Sequence, residues 1–73
     1  MVTHVTDPRK PLGESIRKRR LALGLTQEDL AEKADLHWTY ISGIERGIRN
    51  VSIVNLFHIA TALEVRVRDL VKF

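Results

Sequence analysis

Residues 27–46, QEDLAEKADLHWTYISGIER, decide the fold of this chain. They contain two apolar patterns of helical spacing, and only Asp35 and Leu36 separate the two. Two short helices that meet in so tight a turn cross steeply and share a core, and Ala31 is small where the second helix must approach the first. The apolar residues that suit the shared core are Leu30, Ala34, Leu36, Ile41 and Ile44. The segment therefore predicts a helix-turn-helix.

A helix-turn-helix sets its second helix free to enter the major groove of DNA, while its first helix crosses the phosphate backbone. The exposed N-terminal residues of the second helix would then face the base edges, and this set comprises His37, Trp38, Thr39, Ser42 and Gly43. Arg46, Arg49 and Asn50 follow this helix and would reach the flanking backbone or a groove. The alternative for these last three residues is a solvated loop.

Further helices are predicted on both sides of this segment. A helical pattern begins at Pro11 and stops before Gly24, a residue typical of the position after a helix. Thr26 and Ser52 are good N-caps for the second and fourth helices. The apolar stripe of the fourth helix consists of Ile53, Leu56, Ile59, Ala60 and Leu63. Residues 65–73 combine β-branched content with helical features, and one last helical turn is favoured over a strand.

The chain is long enough for one small domain and no more. Residues 1–10 lack a periodic pattern, which predicts a flexible N-terminal arm before a single domain over residues 11–73. With no cysteine and three scattered histidines, neither a disulfide nor a metal site is expected. No pair of catalytic acid and base stands out, so we expect no enzyme activity. No apolar run approaches the ~18 residues of a membrane helix, and we expect a cytoplasmic protein.

Charge is distributed unevenly along the chain, which carries a net charge of +3. Residues 1–20 have a net charge of +4, residues 21–45 of −4 and residues 46–73 of +3. Two basic ends suit a polyanionic partner, whereas an ordinary solvated surface explains the same charges equally well. Charge alone therefore does not decide between the two.

Three stretches of the chain carry a resemblance to a known family. They are residues 24–31 (GLTQEDLA), residues 40–47 (YISGIERG) and residues 59–63 (IATAL). The chain resembles the DNA-binding domain of phage-repressor and Cro type regulators, the XRE family, over about residues 12–71. Residues 37–46 and 49–53 are most similar to the controller proteins of restriction-modification systems. This resemblance implies a compact all-α domain of four or five helices, similar to that of lambda repressor.

Three positions depart from the pattern of that family. The turn glycine is replaced by Asp35, which adopts a left-handed conformation at modest cost, and the glycine usual after the fourth helix is replaced by Glu64. Controllers often have arginine where this chain has Trp38, and an indole makes no bidentate contact to guanine. We expect Trp38 either to pack on a thymine methyl or a sugar, or to support the turn as a partly buried aromatic.

The resemblance also implies roles for further residues. Gln27 resembles a glutamine that binds a phosphate, and Tyr40 resembles a tyrosine that reaches DNA, although its helical spacing from Ile44 suits a core residue equally well. Arg20 and Glu45 resemble a structural ion pair that joins the first helix to the end of the third. The expected base-reading residues are His37, Trp38, Thr39, Tyr40, Ser42 and Gly43, and the expected backbone contacts are Thr26, Gln27, Arg46, Arg49 and Asn50.

Surplus apolar residues near the C-terminal end predict a two-fold interface, and closure of the monomer core is the alternative. The predicted dimer residues are Val54, Phe57, Val65, Val67, Leu70, Val71 and Phe73. The expected function is a homodimeric transcriptional regulator on a palindromic operator, with double-stranded DNA and possible contact to RNA polymerase as partners. No cofactor, membrane or small-molecule substrate is expected. A general phage-type repressor and an antitoxin-like protein-interaction module remain the alternatives.

Overall fold

A computed structural model describes residues 7–73, which fold into five helices and contain no strand. The helices are α1 (Arg9–Ala22), α2 (Gln27–Ala34), α3 (Trp38–Glu45), α4 (Ile53–Ala62) and α5 (Val67–Leu70). The predicted all-α architecture of four or five helices is confirmed, and the last segment contains a helical turn. Within residues 7–73 no helix combines the length and apolarity needed to cross a membrane.

The predicted N-caps of α2 and α4 are present. The Thr26 hydroxyl accepts a hydrogen bond from the Asp29 backbone N–H at 3.0 Å, and the Asp29 carboxylate accepts one from the Thr26 N–H at 2.9 Å. This reciprocal capping box lowers the pKa of Asp29, chiefly through the backbone hydrogen bond. At α4, the Ser52 hydroxyl accepts from the Asn55 N–H at 3.1 Å. Local side-chain chemistry thus sets where both helices begin.

The start of α1 differs from the prediction, because the helix begins at Arg9 rather than at Pro11. The Asp7 carboxylate accepts the Arg9 backbone N–H at 3.0 Å and pairs with its guanidinium at 2.7 Å. The side-chain hydrogen bond from Arg9 lowers the pKa of Asp7 to about 2. The last part of the expected N-terminal arm is therefore helical, and residues 1–6 of that arm lie outside the described residues.

Four helices end in the same way, with a residue of positive φ followed by a backbone hydrogen bond that spans five residues. The positive-φ residues are Gly24, Asp35, Gly47 and Glu64, with φ of 71°, 57°, 75° and 60°. The next N–H donates back across the end of each helix, for example from Leu36 to the Ala31 carbonyl at 2.8 Å. Asp35 and Glu64 therefore retain the glycine-type geometry that their positions require.

The core combines residues from all five helices, and its fully buried members are Ile16, Leu30, Ile41, Ile44, Ile59, Leu63 and Leu70. Ala31 and Ala34 are also buried, while Leu36 packs against the core and is partly exposed. The prediction for Ile53 is wrong: its side chain is 62% exposed, because the first turn of α4 precedes the part of the helix that meets the core.

Helix α1 packs unusually closely against the C-terminal end of α3. Gly13 is buried there, and a Cβ at this position would lie 2.8 Å from the Glu45 carbonyl oxygen and closer still to that of Ile44. Because both neighbours are backbone atoms, the two helices would have to separate to admit a side chain. Glycine at this position therefore sets how close α1 lies to the third helix.

Candidate nucleic-acid interface

Helix α3 has one face in the core and one on the surface. Ile41 and Ile44 are 0% and 1% exposed, whereas Trp38 at the N-terminal end is 47% exposed. His37 and Thr39 are exposed beside Trp38. Since the first turn of α3 projects three neighbouring side chains from the surface, it has the accessibility that a major-groove reader requires.

The three exposed side chains at this end contact one another. His37 is the N-cap of α3, and its Nδ1 accepts a hydrogen bond from the Thr39 backbone N–H at 3.2 Å. The Thr39 hydroxyl lies 2.7 Å from the same Nδ1. The imidazole stacks beside the Trp38 indole, with ring centroids 6.2 Å apart and planes inclined by 26°. These contacts fix the imidazole at the tip of the helix.

Gly43 does not belong to the exposed surface, and the expectation that it faces the bases is corrected. It is buried beneath the side chain of Arg49, whose Cβ would lie 3.3 Å from a Cβ on Gly43, with Cγ still closer. The missing side chain makes room for Arg49 to lie across α3. Sequence reasoning missed this packing, because the two residues belong to different elements.

Arg49 continues across α3 to Tyr40. Its guanidinium carbon lies 5.3 Å from the centroid of the Tyr40 ring, within the range of a cation–π interaction. Tyr40 is partly buried against the core, and its hydroxyl accepts a hydrogen bond from the Asn55 amide at 3.3 Å. Tyr40 thus packs on the core and also supports an exposed arginine. The contribution of Asn55 was not predicted from the sequence.

Other cationic and polar residues surround this end of the molecule. Arg46, Arg49 and Asn50 are exposed after α3, as expected, and Ser42 is partly buried. The Arg46 guanidinium donates to the Ser42 carbonyl at 3.4 Å. Two arginines and an amide therefore lie on the surface directly beside the recognition helix, where the sequence predicted contacts to the DNA backbone.

The predicted pair of Arg20 and Glu45 is present and buried, with side-chain exposures of 8% and 2%. The Arg20 Nε donates to Glu45 Oε2 at 2.7 Å, and Nη2 donates to Oε1 at 2.9 Å. A third bond runs from Nη1 to the Leu25 carbonyl at 2.8 Å. The hydrogen bond to Glu45 raises the pKa of Arg20 further above its ordinary value. This pair joins α1 to the end of α3.

Gln27 is placed differently from the expectation. Its amide donates to Glu45 Oε1 at 3.1 Å, so the side chain is directed toward the buried pair rather than outward to a phosphate. The hydroxyl of Thr26 is likewise used within the protein, as the N-cap of α2. The Thr26 N–H donates to Asp29, so the Gln27 N–H at the start of α2 is the backbone donor of these two residues that a phosphate could meet.

Arg19 has a structural contact that sequence reasoning missed. Its Nε donates to the Leu63 carbonyl at the end of α4 at 3.0 Å. The residue lies in a basic run, and such a run gives no sign of which member turns inward. No group of three metal-ligating residues occurs within residues 7–73.

The predicted dimer residues divide into an exposed and a buried set. Val54 and Phe57 are 60% and 56% exposed on α4, and Val71 and Phe73 are exposed at the C-terminal end. Val65 and Val67 are partly buried and pack against the core. Leu70 is only 2% exposed, so it closes the monomer core and its place in the predicted interface is corrected. A shallow groove beside Phe57 is lined by Ala60, Thr61 and residues 65–68.

Comparison with known proteins agrees with this architecture. A helix-turn-helix family model matches residues 16–70. The control protein C.BamHI of Bacillus amyloliquefaciens is 50% identical over 62 residues, which cover 84% of this chain and 76% of that protein. The control protein C.SmaI of Serratia marcescens is 42% identical over 64 residues, covering 88% and 76%. The crystal structure of the restriction-modification controller protein C.AhdI from Aeromonas hydrophila matches with a TM-score of 0.84 and 45% identity, covering 85% of this chain and 94% of that one.

The fold and the exposed end of α3 define a DNA-binding transcription regulator of the helix-turn-helix class. The chain belongs to the XRE-type helix-turn-helix family, as its sequence indicated, and restriction-modification controller proteins are among its relatives. The relatives are regulators rather than enzymes.

Proposed function

We propose that this protein binds a palindromic DNA operator as a homodimer and acts as a restriction-modification controller or a similar small repressor or activator. The observation that carries this proposal is the exposed first turn of α3 with Arg49 held across the same helix. A major groove admits one α-helix, so this turn can approach base edges while the arginines beside it meet the phosphates.

The residues divide into two kinds of contact. His37, Trp38 and Thr39 project from the tip of α3 and are assigned to the bases, with Ser42 one turn farther along. Arg46, Arg49 and Asn50 are assigned to the backbone. Each cation that neutralises a phosphate releases counterions, so the affinity should fall steeply as salt is raised.

A homodimer is proposed because one recognition helix reads only a few base pairs. The exposed side chains of Val54 and Phe57 on α4 supply an apolar surface that a second copy could cover, and Val71 and Phe73 are exposed at the C-terminal end. A two-fold pairing uses the same patch on both copies and places two recognition helices on successive turns of the duplex. This arrangement explains why so small a domain exposes large aromatic side chains.

The controller role follows from the relatives named control proteins. As a controller, the protein would regulate its own gene and a neighbouring endonuclease gene by occupying their promoters. Bound there, it would block RNA polymerase or help to recruit it. The exposed acidic residues of α2, Glu28, Asp29 and Glu32, are the surface proposed for contact with polymerase.

The test is selection from random-sequence duplex DNA at physiological salt. We expect enrichment of inverted repeats with half-sites about 10 bp apart, because the two helices of a dimer enter successive major grooves. Thr39→Ala combined with Ser42→Ala should weaken binding by about 1–3 kcal/mol per lost base contact and relax the base preference. Arg17→Ala, an exposed change on α1, is the control. A folded protein that enriches no sequence would contradict the proposal and favour a protein-interaction module.

A further inference from the structure

The hydrogen bonds at the tip of α3 fix which nitrogen of His37 carries the proton. Nδ1 is approached by the Thr39 backbone N–H at 3.2 Å. A backbone amide can only donate, so Nδ1 must offer its lone pair. In a neutral imidazole the single ring proton then resides on Nε2. The capping contact therefore leaves Nε2–H as the free donor of the ring.

The same contacts fix the role of the Thr39 hydroxyl. It lies 2.7 Å from Nδ1, which has no hydrogen to give in this tautomer. In this tautomer the hydroxyl is the donor of that contact and shares the single Nδ1 lone pair with the Thr39 N–H, while the lone pairs of Oγ1 stay free to accept. A serine or threonine hydroxyl ordinarily rotates and serves either role, but here the imidazole commits it to accepting.

We infer that the His37–Thr39 pair presents a donor and an acceptor of fixed identity to the major groove. His37 Nε2–H donates to a guanine N7 or O6, and Thr39 Oγ1 accepts from the exocyclic amino group of a cytosine or an adenine. The inference rests on the proposed function. It adds which of the two side chains donates and which accepts, and exposure alone does not show this. The Trp38 indole lies beside the imidazole, with ring centroids 6.2 Å apart.

The tautomer can be measured without DNA. Long-range ¹H–¹⁵N correlation spectra of the free protein at mildly alkaline pH distinguish a protonated from an unprotonated ring nitrogen. We expect an unprotonated Nδ1 and a protonated Nε2 for His37, whereas His58, which is exposed on α4, serves as an internal reference. A protonated Nδ1 at His37 would overturn the inference whatever DNA the protein binds.

The base contacts are tested on the operator selected by the wild-type protein. His37→Asn keeps an oxygen near the Nδ1 position, and therefore the cap, but has no group at Nε2. We expect an unchanged Tm, a loss of affinity on the order of 5- to 10-fold and loss of preference at one guanine of each half-site. Replacing that guanine with 7-deazaguanine should weaken the wild type and leave His37→Asn unaffected if N7 is the acceptor. If O6 is the acceptor, replacing the guanine with 2-aminopurine, which lacks O6, should weaken the wild type and leave His37→Asn unaffected.

Thr39→Ser and Thr39→Val form the matched pair for the acceptor. Serine retains Oγ1 and should retain the preference for an amino-bearing base, whereas valine keeps the shape and should lose it.

If His37→Asn weakened every sequence equally, the donor would meet a phosphate and the inference would be wrong while the proposed function stood. If the wild type selected no operator, the proposed function itself would fail, and that result is read from the wild type alone.

Discussion

At the scale of single residues, the buried pair of Arg20 and Glu45 joins α1 to the end of α3. The two residues lie 25 positions apart along the chain, and the Gln27 amide donates a further bond to Glu45. Bidentate geometry satisfies both carboxylate oxygens, which is the condition under which a buried charge is tolerated. The orientation of α3 therefore depends on residues outside its exposed first turn.

Removal of one partner of this pair should be severe. Arg20→Leu leaves the Glu45 carboxylate buried without its countercharge, and we expect a loss of about 3–5 kcal/mol, comparable to the whole stability of so small a domain. Urea unfolding followed by circular dichroism measures it. Arg17→Leu makes the same change at an exposed position of α1 and should alter stability by less than about 0.5 kcal/mol. Equal losses in the two variants would contradict a special role for the pair.

Gly43→Ala tests the packing of Arg49 across α3. A methyl group would occupy the space of the Arg49 Cγ, so the arginine must leave its position over Tyr40 while the core stays intact. We expect a modest change in Tm and a loss of DNA affinity similar to that of Arg49→Ala, measured by fluorescence anisotropy. In the Arg49→Ala background, Gly43→Ala should have little further effect. Additive losses would mean that Gly43 acts on DNA binding independently of Arg49.

Single residues also show where sequence reasoning ended. The Arg20–Glu45 pair was predicted from the family resemblance, and the exposure of His37 and Trp38 followed from their place at the start of a helix. The covering of Gly43 by Arg49 and the inward direction of the Gln27 amide depend on contacts between different elements. Neither composition nor local periodicity contains that information. The sequence therefore predicted which residues lie near the surface of α3, but not which of their side chains are covered or directed inward.

At the scale of elements, helix boundaries were largely predictable because local chemistry sets them. Thr26 and Ser52 are N-caps as expected, and the helix ends fall at the predicted glycine or its replacement. The faces of the helices were less predictable. Ile53 has the spacing of a core residue but lies beyond the reach of the core, whereas α5, which carries the buried Leu70, packs against the neighbouring α4 and against α1 from the other end of the chain.

The left-handed cap after α4 makes Glu64→Gly a stabilising change. Glutamate at φ 60° has a Cβ that glycine lacks, and relief of that strain should raise stability by about 1 kcal/mol and Tm by roughly 4–8 °C. Differential scanning calorimetry measures the shift. Ala62→Gly, at the last residue of the same helix, should instead lower stability, by at most about 1 kcal/mol. A destabilised Glu64→Gly would show that the left-handed conformation at this position carries no strain.

The capping box of α2 should make stability depend on pH. The folded-state pKa of Asp29 lies below its ordinary value of 3.8, so its contribution is complete above that value and is lost as the pH falls through the folded pKa. Asp29→Asn should lower Tm by a few degrees at neutral pH, and the difference should narrow as the pH falls through the folded pKa of Asp29. Thermal melts across this range measure it. Glu28→Gln removes a charge from the same turn without breaking a cap, and its difference should vary less with pH.

At the scale of the whole molecule, the end of α3 that is proposed to face DNA and the apolar surface of α4 are connected. Tyr40 supports Arg49 on one side and accepts a hydrogen bond from Asn55 of α4 on the other. Asn55 directly follows Val54 and lies two residues before Phe57. If a second copy covers α4, the contact between copies is transmitted through one hydrogen bond to the residues proposed to meet DNA. The contact that sets the spacing between the two copies of α3 would then lie close to the residues proposed to meet DNA.

The proposed dimer is tested by Phe57→Lys. The side chain is 56% exposed, so a lysine is tolerated by the monomer and its helical content should be unchanged, but a charge at the centre of an apolar interface should shift the protein to a monomer. Sedimentation velocity measures the mass, and affinity for an inverted repeat should fall toward that for a single half-site.

Leu21→Lys is the matched control, because Leu21 is 51% exposed on α1, outside the groove beside Phe57. It should leave both the mass and the preference for inverted repeats unchanged. A Phe57→Lys protein that sediments as a dimer would place the two-fold axis elsewhere on the surface. A wild type that is monomeric yet selects inverted repeats would mean that pairing occurs only on DNA, and Phe57→Lys should then abolish cooperative occupation of the two half-sites.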